Sequence, residues 1–377
     1  MAAVFVMFLV TGVALPALPL HINQRLGLGT FAVGMVAGAQ FAASLISRVG
    51  AGAFSDLRGA KLALLLGLGM AAAAGLLYLV SLAFVEAPLT SVAILLAGRA
   101  VLGAAESFVI VGAQSWGLAA AGPDHAGNVI SWLGVAMYGA FAVGAPLGAA
   151  LFAAYGFAAI SLVTIVAPIA TLAIVAPLTP VAAKPRNKTE LLRVAATALT
   201  PGLALAFSSV GFGVMTAFSV LFFVERGWQP AWLAYTAFAL AFVVARVGLG
   251  HLPDRQGGAK IAAIFATIEA AGFATLWAAP SSWWGFLGAA MVGFGYSLVF
   301  PGLGVEAVRR APPEARGLAI GVYTAYLDVA LGVLLPALGL LGGAAGLGSV
   351  FLASALLSLA AVPIAVSLAS TPARAAR

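Results

Sequence analysis

Two stretches of this sequence, residues 62–84 and 346–368, run for 23 positions each without one charged side chain. A helix crosses the hydrocarbon core of a bilayer with about 20 apolar residues, so either stretch is long enough to span it. The rest of the chain is of the same kind. Of its 377 residues 63% are hydrophobic and 8% charged, where a soluble domain carries about 25% charged residues. Too few polar side chains remain to face water, and the chain reads as an all-α polytopic membrane protein. A transmembrane barrel needs alternating segments of about 10 residues; these runs are longer and uniformly apolar.

Apolar runs bounded by charged residues, Pro or Gly fall near 3–22, 31–54, 62–84, 91–118, 128–152, 158–179, 200–224, 231–252, 260–280, 283–305, 317–341 and 346–368, which makes twelve spans. With the N-terminus taken as cytoplasmic, the inner side receives Arg58, Lys61, Lys184, Arg186, Lys188, Arg193, Arg255, Lys260, Arg309, Arg310, Arg316, Arg374 and Arg377. The outer side receives Arg25 and Arg226, while Arg48, Arg99 and Arg246 lie within or at the ends of spans. This asymmetry is the positive-inside bias. It puts both termini in the cytoplasm and accounts for the net charge of +7 without a nucleic-acid partner. Residues 181–199 read as a basic cytoplasmic linker between two six-span halves, 1–180 and 200–377. With no cysteine and three scattered histidines (His21, His125 and His251), neither a metal site nor a cofactor is expected.

The frame R-V-G-x-G-x-x-x-D occurs twice, as Arg48–Asp56 and Arg246–Asp254, offset by 198 residues. Each copy is expected to end a span and open a short cytoplasmic loop. Further on, Gly103, Gly112, Gly127 and Pro146 pair with Gly293, Gly302, Gly317 and Pro336 at an offset of 190. Two halves in parallel orientation, each with the same loop frame, are how one class of secondary transporter is built.

With these residues the chain resembles the major facilitator superfamily over almost its whole length. The family's loop between helices two and three, G-x-x-x-D-R-x-G-R-K, is matched by Gly52, Asp56, Arg58, Gly59 and Lys61, with Leu57 where the family has Arg. Gly250, Asp254, Arg255, Gly257 and Lys260 match it again, and here the Arg after Asp is present. Arg99 and Gly103 are similar to the helix-four R-x-x-x-G motif linked to proton coupling. Gly139, Gly144, Pro146 and Gly148 resemble the helix-five antiporter motif with one residue inserted before the Pro. The resemblance implies a twelve-helix fold of two pseudo-symmetric halves, a monomer, and a place beside bacterial drug:proton antiporters and sugar-efflux permeases.

Charge at mid-bilayer costs at least about 2.5–3.5 kcal/mol, so Glu106, Glu269 and Asp328, each near the middle of its span, need a reason to be there. Arg99 and Glu106 are seven residues apart, two turns along one face. The Arg can stabilise a carboxylate, or a substrate anion, while a proton comes and goes. Glu106, Asp328 and Arg99 are therefore the proton-coupling candidates; Asp328 stands where the first half has Tyr138, an asymmetry that points to a task. Glu269, on a helix that the resemblance places in the outer scaffold, is expected to make a buried packing contact. Gln40, Gln114, Asn128, Trp132, Tyr138, Tyr235, Tyr296, Tyr323 and Tyr326 are candidates for a cavity with aromatic walls and a few polar groups. The frame residues Arg48, Gly52, Asp56, Arg58, Gly59 and Lys61, with Arg246, Gly250, Asp254, Arg255, Gly257 and Lys260, are assigned to gating. Asp56 and Asp254 are expected to latch onto a neighbouring helix N-terminus.

The expected function is proton-coupled efflux of a small molecule, such as a sugar or an amphipathic drug, across a bacterial inner membrane by alternating access. Its partners would be that substrate, protons and the bilayer. The alternative is a proton symporter importing a sugar or small metabolite. No G-x-S-x-G, H-E-x-x-H or phosphate-binding loop argues for an enzyme or for direct ATP drive, and no charged ring or filter argues for a channel.

Overall fold

The computed structural model describes residues 1–121, 126–180, 191–311 and 316–370, which are helical almost throughout and contain no strand. The chain divides into two compact units, Met1–Arg186 and Asn187–Arg377. Half of the expected linker, residues 181–190, lies outside the described residues, as does His125.

The first unit holds α1 (Ala2–Leu20), α2 (Thr30–Arg58), α3 (Ala60–Ser81), α4 (Pro88–Ala121) and α5 (Ala126–Val175). The last of these is two helices joined at Gly156, whose φ of 68° breaks the helical path, so it accommodates the fifth and sixth expected spans. In the second unit the seventh span is divided into α6 (Leu191–Ser208), α7 (Val210–Ala217) and α8 (Ser219–Glu225). Then come α9 (Leu233–Leu249), α10 (Leu252–Gln256), α11 (Gly258–Ala278), α12 (Ser282–Arg310), α13 (Arg316–Ala345) and α14 (Leu347–Ser370). Ten helical stretches among the described residues are long and apolar enough to cross a membrane; one of these, Trp132–Val175, contains the bend at Gly156. The shorter apolar helix Leu233–Leu249 supplies the eighth expected span.

Each unit packs internally by the same scheme. In the first, α4 lies against α2 and α3, α1 against the first arm of α5, and α3 against its second arm. In the second, α12 lies against α9 and α11, α6 against α13, and α11 against α14. The repeat glycines are the contact points of this scheme. A Cβ at Gly103 would stand 2.7 Å from the carbonyl carbon of Gln40, and one at Gly293 the same 2.7 Å from that of Phe238. Gln40 and Phe238 are themselves 198 residues apart. With no side chain at either glycine, the backbones of α2 and α4, and of α9 and α12, cross in contact.

The loop frames differ from expectation. Arg48–Asp56 does not open a loop: α2 stays helical through Arg58, and the connection to α3 is Gly59 alone, with φ 97° and ψ 147°. In the second unit the frame ends on the short α10 and turns at Gly257, with φ 95° and ψ 125°. Both glycines hold a backbone region that a residue with a Cβ rarely enters, so one residue suffices where a loop was expected.

Candidate functional site

The α2–α4 crossing carries the polar side chains of the first unit. Because Gly103 lets the two backbones touch, residues one turn away on either side are brought within hydrogen-bonding distance. Gln40 Nε2 donates to Glu106 Oε2 at 2.8 Å. Ser107 Oγ donates to the Ser44 carbonyl at 2.9 Å, and the Ser44 and Ser107 hydroxyls lie 3.1 Å apart. Arg48 Nη2 donates to Ser44 Oγ at 3.3 Å. Gln40, Ser44 and Ser107 are buried, while Glu106 is half-buried. Arg48 and Arg99 both stand within electrostatic reach of the Glu106 carboxylate. Arg99 is buried on α4 with its Nε and Nη1 lacking hydrogen-bond partners among the described residues, and its charge also reaches the Tyr78 hydroxyl of α3. The expected Arg99–Glu106 relationship is thus electrostatic at a distance; the direct partner of the carboxylate is Gln40.

The second unit keeps the backbone part of this arrangement and replaces the rest. Ser297 Oγ donates to the Phe242 carbonyl at 2.9 Å, which repeats the Ser107–Ser44 bond at the two offsets already seen, 190 and 198. At the positions of Gln40, Ser44 and Glu106 stand Phe238, Phe242 and Tyr296. Phe242 packs 6.5 Å from Phe238 and 5.9 Å from Tyr296, centroid to centroid, and all three are buried. With no hydroxyl on Phe242, Arg246 Nη1 donates instead to the Ser297 carbonyl at 2.8 Å. The same crossing is a carboxylate network in one unit and a cluster of tilted aromatic rings in the other.

The remaining candidates are dispersed. Asp328 is buried in α13 at 3% exposure. Tyr323 is fully buried and donates its hydroxyl to the Phe300 carbonyl at 2.7 Å, tying α13 to α12. Tyr326 packs its ring over Gly202 of α6. Tyr235 is buried beside Phe238, with ring centroids 5.5 Å apart. Gln114 and Tyr138 are half-buried, and Trp132 is 62% exposed. The side chain of Asn128 lies outside the described residues. His21 is buried and stacks on Phe157 at 4.3 Å.

Among the gating residues, Asp56, Arg58, Asp254, Arg255 and Lys260 are exposed. Lys61 has a role inside its own unit: Nζ donates to the carbonyls of Ala176 at 2.7 Å and Leu178 at 2.5 Å. It thereby caps the C-terminal end of α5, where carbonyls lack helical partners and a cation is favoured. Gly52 has open space around its Cβ direction, whereas a Cβ on Gly250 would press on the Arg246 carbonyl. In the helix-five motif, Gly144 and Gly148 meet the α1 backbone at Gly12 and Val13, while Gly139 faces open space and Pro146 lies inside the helix.

The sequence profile of the Major Facilitator Superfamily matches residues 1–333 and 227–377. The chain belongs to this family. Its curated relatives include an uncharacterized MFS-type transporter of Salmonella typhimurium, 42% identical over 358 residues, covering 95% of this chain and 92% of the relative. Another, from Burkholderia mallei, is 37% identical over 370 residues, covering 98% and 91%. Among solved structures, the chain is similar to a D-xylose–proton symporter with a TM-score of 0.80 at 12% identity, covering 97% of this chain and 95% of that one. It is similar to the nucleoside transporter NupG with a TM-score of 0.73 at 16% identity, covering 98% of both. The helices therefore form the twelve-helix fold of the major facilitator superfamily, and the protein is a multi-pass transporter.

Sequence reasoning found Gln40, Arg99 and Glu106 but passed over Ser44, Ser107 and Tyr78. Ser107 and Ser297 carried a usable signal, since they share the offset of 190 that aligns the glycines.

Proposed function

We propose that this transporter is a proton-coupled exporter of the bacterial inner membrane, with both termini cytoplasmic. It works as a monomer by alternating access, exchanging protons for a small molecule such as a sugar or an amphipathic drug. The observation that carries this reading is the Gln40–Glu106 pair. A proton-coupling carboxyl must be tolerated both charged and neutral inside the membrane. Gln40 meets both needs because its amide presents a donor and an acceptor on one carbon. Nε2 donates to the carboxylate at 2.8 Å, and the buried Oε1 has no hydrogen-bond partner among the described residues and is available to the acid O–H. Arg48 and Arg99 supply the positive potential that supports the anion. In the second unit Phe238 and Tyr296 occupy the two positions, so the pair is a feature of the first unit alone.

Export rather than import is supported by the helix-five run Gly139, Gly144, Pro146 and Gly148, which resembles the antiporter motif. The reading is tested with reconstituted protein by imposing a pH gradient and following labelled sugars and fluorescent amphipathic cations. An acid lumen drives accumulation if the compound exchanges for protons. Accumulation only with an acid exterior identifies a symporter and overturns the reading.

A further inference from the structure

The second unit contains a buried carboxylate that plays no part in the scheme above. Glu269 of α11 is fully buried. Its Oε2 accepts from Ser208 Oγ at 2.5 Å and its Oε1 from Ser358 Oγ at 3.0 Å. A third partner is the backbone N–H of Gly211, whose dipole acts on the carboxylate. That N–H is turned toward the carboxylate where the seventh span is interrupted: α6 ends at Ser208 and α7 begins at Val210. The glycine is a requirement of the site, since a Cβ at 211 would collide with Glu269 Oε1. Three helices, α6, α11 and α14, and the first turn of α7 therefore converge on one carboxyl group.

None of its three partners is charged, and no salt bridge reaches it among the described residues. The charges on α11 and α12 lie far along their axes. Lys260 is nine residues earlier on α11, about 13 Å away at 1.5 Å per residue. Glu306, Arg309 and Arg310 lie 11 or more residues beyond Gly295, the α12 residue that touches the Glu269 backbone, hence at least about 16 Å off. Asp254 and Arg255 are on α10 and Glu225 on α8; the described part of α14 and all of α7 carry no titratable side chain. Arg193 stands in the first turn of α6, 15 residues before Ser208. Tyr296 of α12 stands beside the site, its Cβ 3.3 Å from a Cβ placed on Gly211, and the buried Asp328 is on α13, whose Leu331 meets Gly213 of α7.

A buried carboxylate with no counter-charge is costly, and the two hydroxyls with the Gly211 N–H offset part of that cost. A metal cation is disfavoured, because the Gly211 N–H offers it no lone pair. The two serine hydroxyls are rotors that donate to the anion and can turn to accept from the acid O–H. We propose that Glu269, with Ser208, Ser358 and the Gly211 N–H, is a proton-exchange site inside the second unit, separate from Glu106. The proton is bound at a carboxylate oxygen and released to water; the serine facing it switches between accepting and donating, and nothing else is consumed. In the first unit the position of Glu269 is Ala71, so the site has no counterpart there.

The test needs no transported substrate and is independent of the export reading. The full chain, reconstituted in lipid, is titrated while the infrared C=O band of protonated carboxyl groups is followed. Wild type and Glu106→Gln are expected to show a titrating component that Glu269→Gln lacks. Ser208→Ala and Ser358→Ala remove one donor each from the anion and are expected to move that component to higher pH by about one unit. Identical titrations for wild type and Glu269→Gln overturn the proposal. Should Glu269→Gln fail to fold, unmoved titrations in both serine variants overturn it equally.

Discussion

Gln40 and Glu106, 66 residues apart in sequence, are joined by a hydrogen bond of 2.8 Å across the crossing of α2 and α4. Gly103 makes that contact geometrically available, and the second unit retains the crossing without the carboxylate. One backbone contact has thus been used for two purposes within a single chain.

Gln40→Leu removes both the donor to the anion and the acceptor for the acid O–H, and because a hydrogen bond to a charged group is the stronger of the two the acid form is left favoured. The carboxyl then holds its proton to higher pH, and the pH dependence of transport moves upward. A hydrogen bond to a charged group is worth about 1.5–3 kcal/mol and a neutral one about 1 kcal/mol, a difference that corresponds to a shift of about one pH unit. Substrate-driven proton flux measured across pH reads this directly. A profile unchanged in position would mean that Gln40 does not act on the titrating group.

The glycines of the helix-five motif separate by packing. A Cβ at Gly148 would stand 2.7 Å from the Val13 carbonyl carbon, while Gly139 has nothing within 4 Å. Gly148→Ala is expected to destabilise the protein by about 1–3 kcal/mol through overpacking. Gly139→Ala is expected to be neutral or to stabilise by up to about 1 kcal/mol through helix propensity. Thermal unfolding in detergent distinguishes the two.

Gly59 and Gly257 each make a one-residue connection with φ near 95°. Alanine at either is expected to cost about 1–3 kcal/mol of backbone strain, visible as a lowered unfolding temperature. Alanine at Gly52, which is helical and has open space around it, serves as the comparison that leaves the temperature near wild type.

Ser107 and Ser297 make the same bond in the two units, each at 2.9 Å to the carbonyl of the facing helix. Ser107→Ala and Ser297→Ala are therefore expected to lower stability, by about 1 kcal/mol for an ordinary hydrogen bond. The Ser107 change also removes a neighbour of Ser44, the residue that Arg48 holds. An effect on transport confined to Ser107→Ala, measured beside stability, would place the working polar seam in the first unit.

The helices were legible because a bilayer demands long apolar runs, and the chain writes them with little else between. The break at Gly156 was legible too, since a Gly between two apolar runs marks a boundary. The interruptions of the seventh span at Ser209 and Phe218 were not, because no Pro or Gly stands at either position. The carboxylate that takes the Gly211 N–H beside the first lies 58 residues downstream. The reading of Arg48–Asp56 as a loop failed for a related reason. The Gly, Ser and Asp residues there look like turn formers, yet Arg48 stands one turn after Ser44 and bonds to it as helical neighbours do. At the candidate site, the carboxylate and both arginines stood out because charge is rare in these spans. Their serine partners did not, because serines are common in such helices and only the crossing of α2 with α4 selects among them. Glu269 was expected to be a packing residue, and its hydroxyl partners, 61 and 89 residues away, could not be paired with it from sequence.

The most direct test of the central claim is the lumenal pH of proteoliposomes bearing the purified protein while sugars and amphipathic cations are added outside. Proton exchange through Glu106 predicts lumenal alkalinisation as a substrate enters, and its loss in Glu106→Gln. Acidification on substrate entry, or alkalinisation that survives Glu106→Gln, would contradict it.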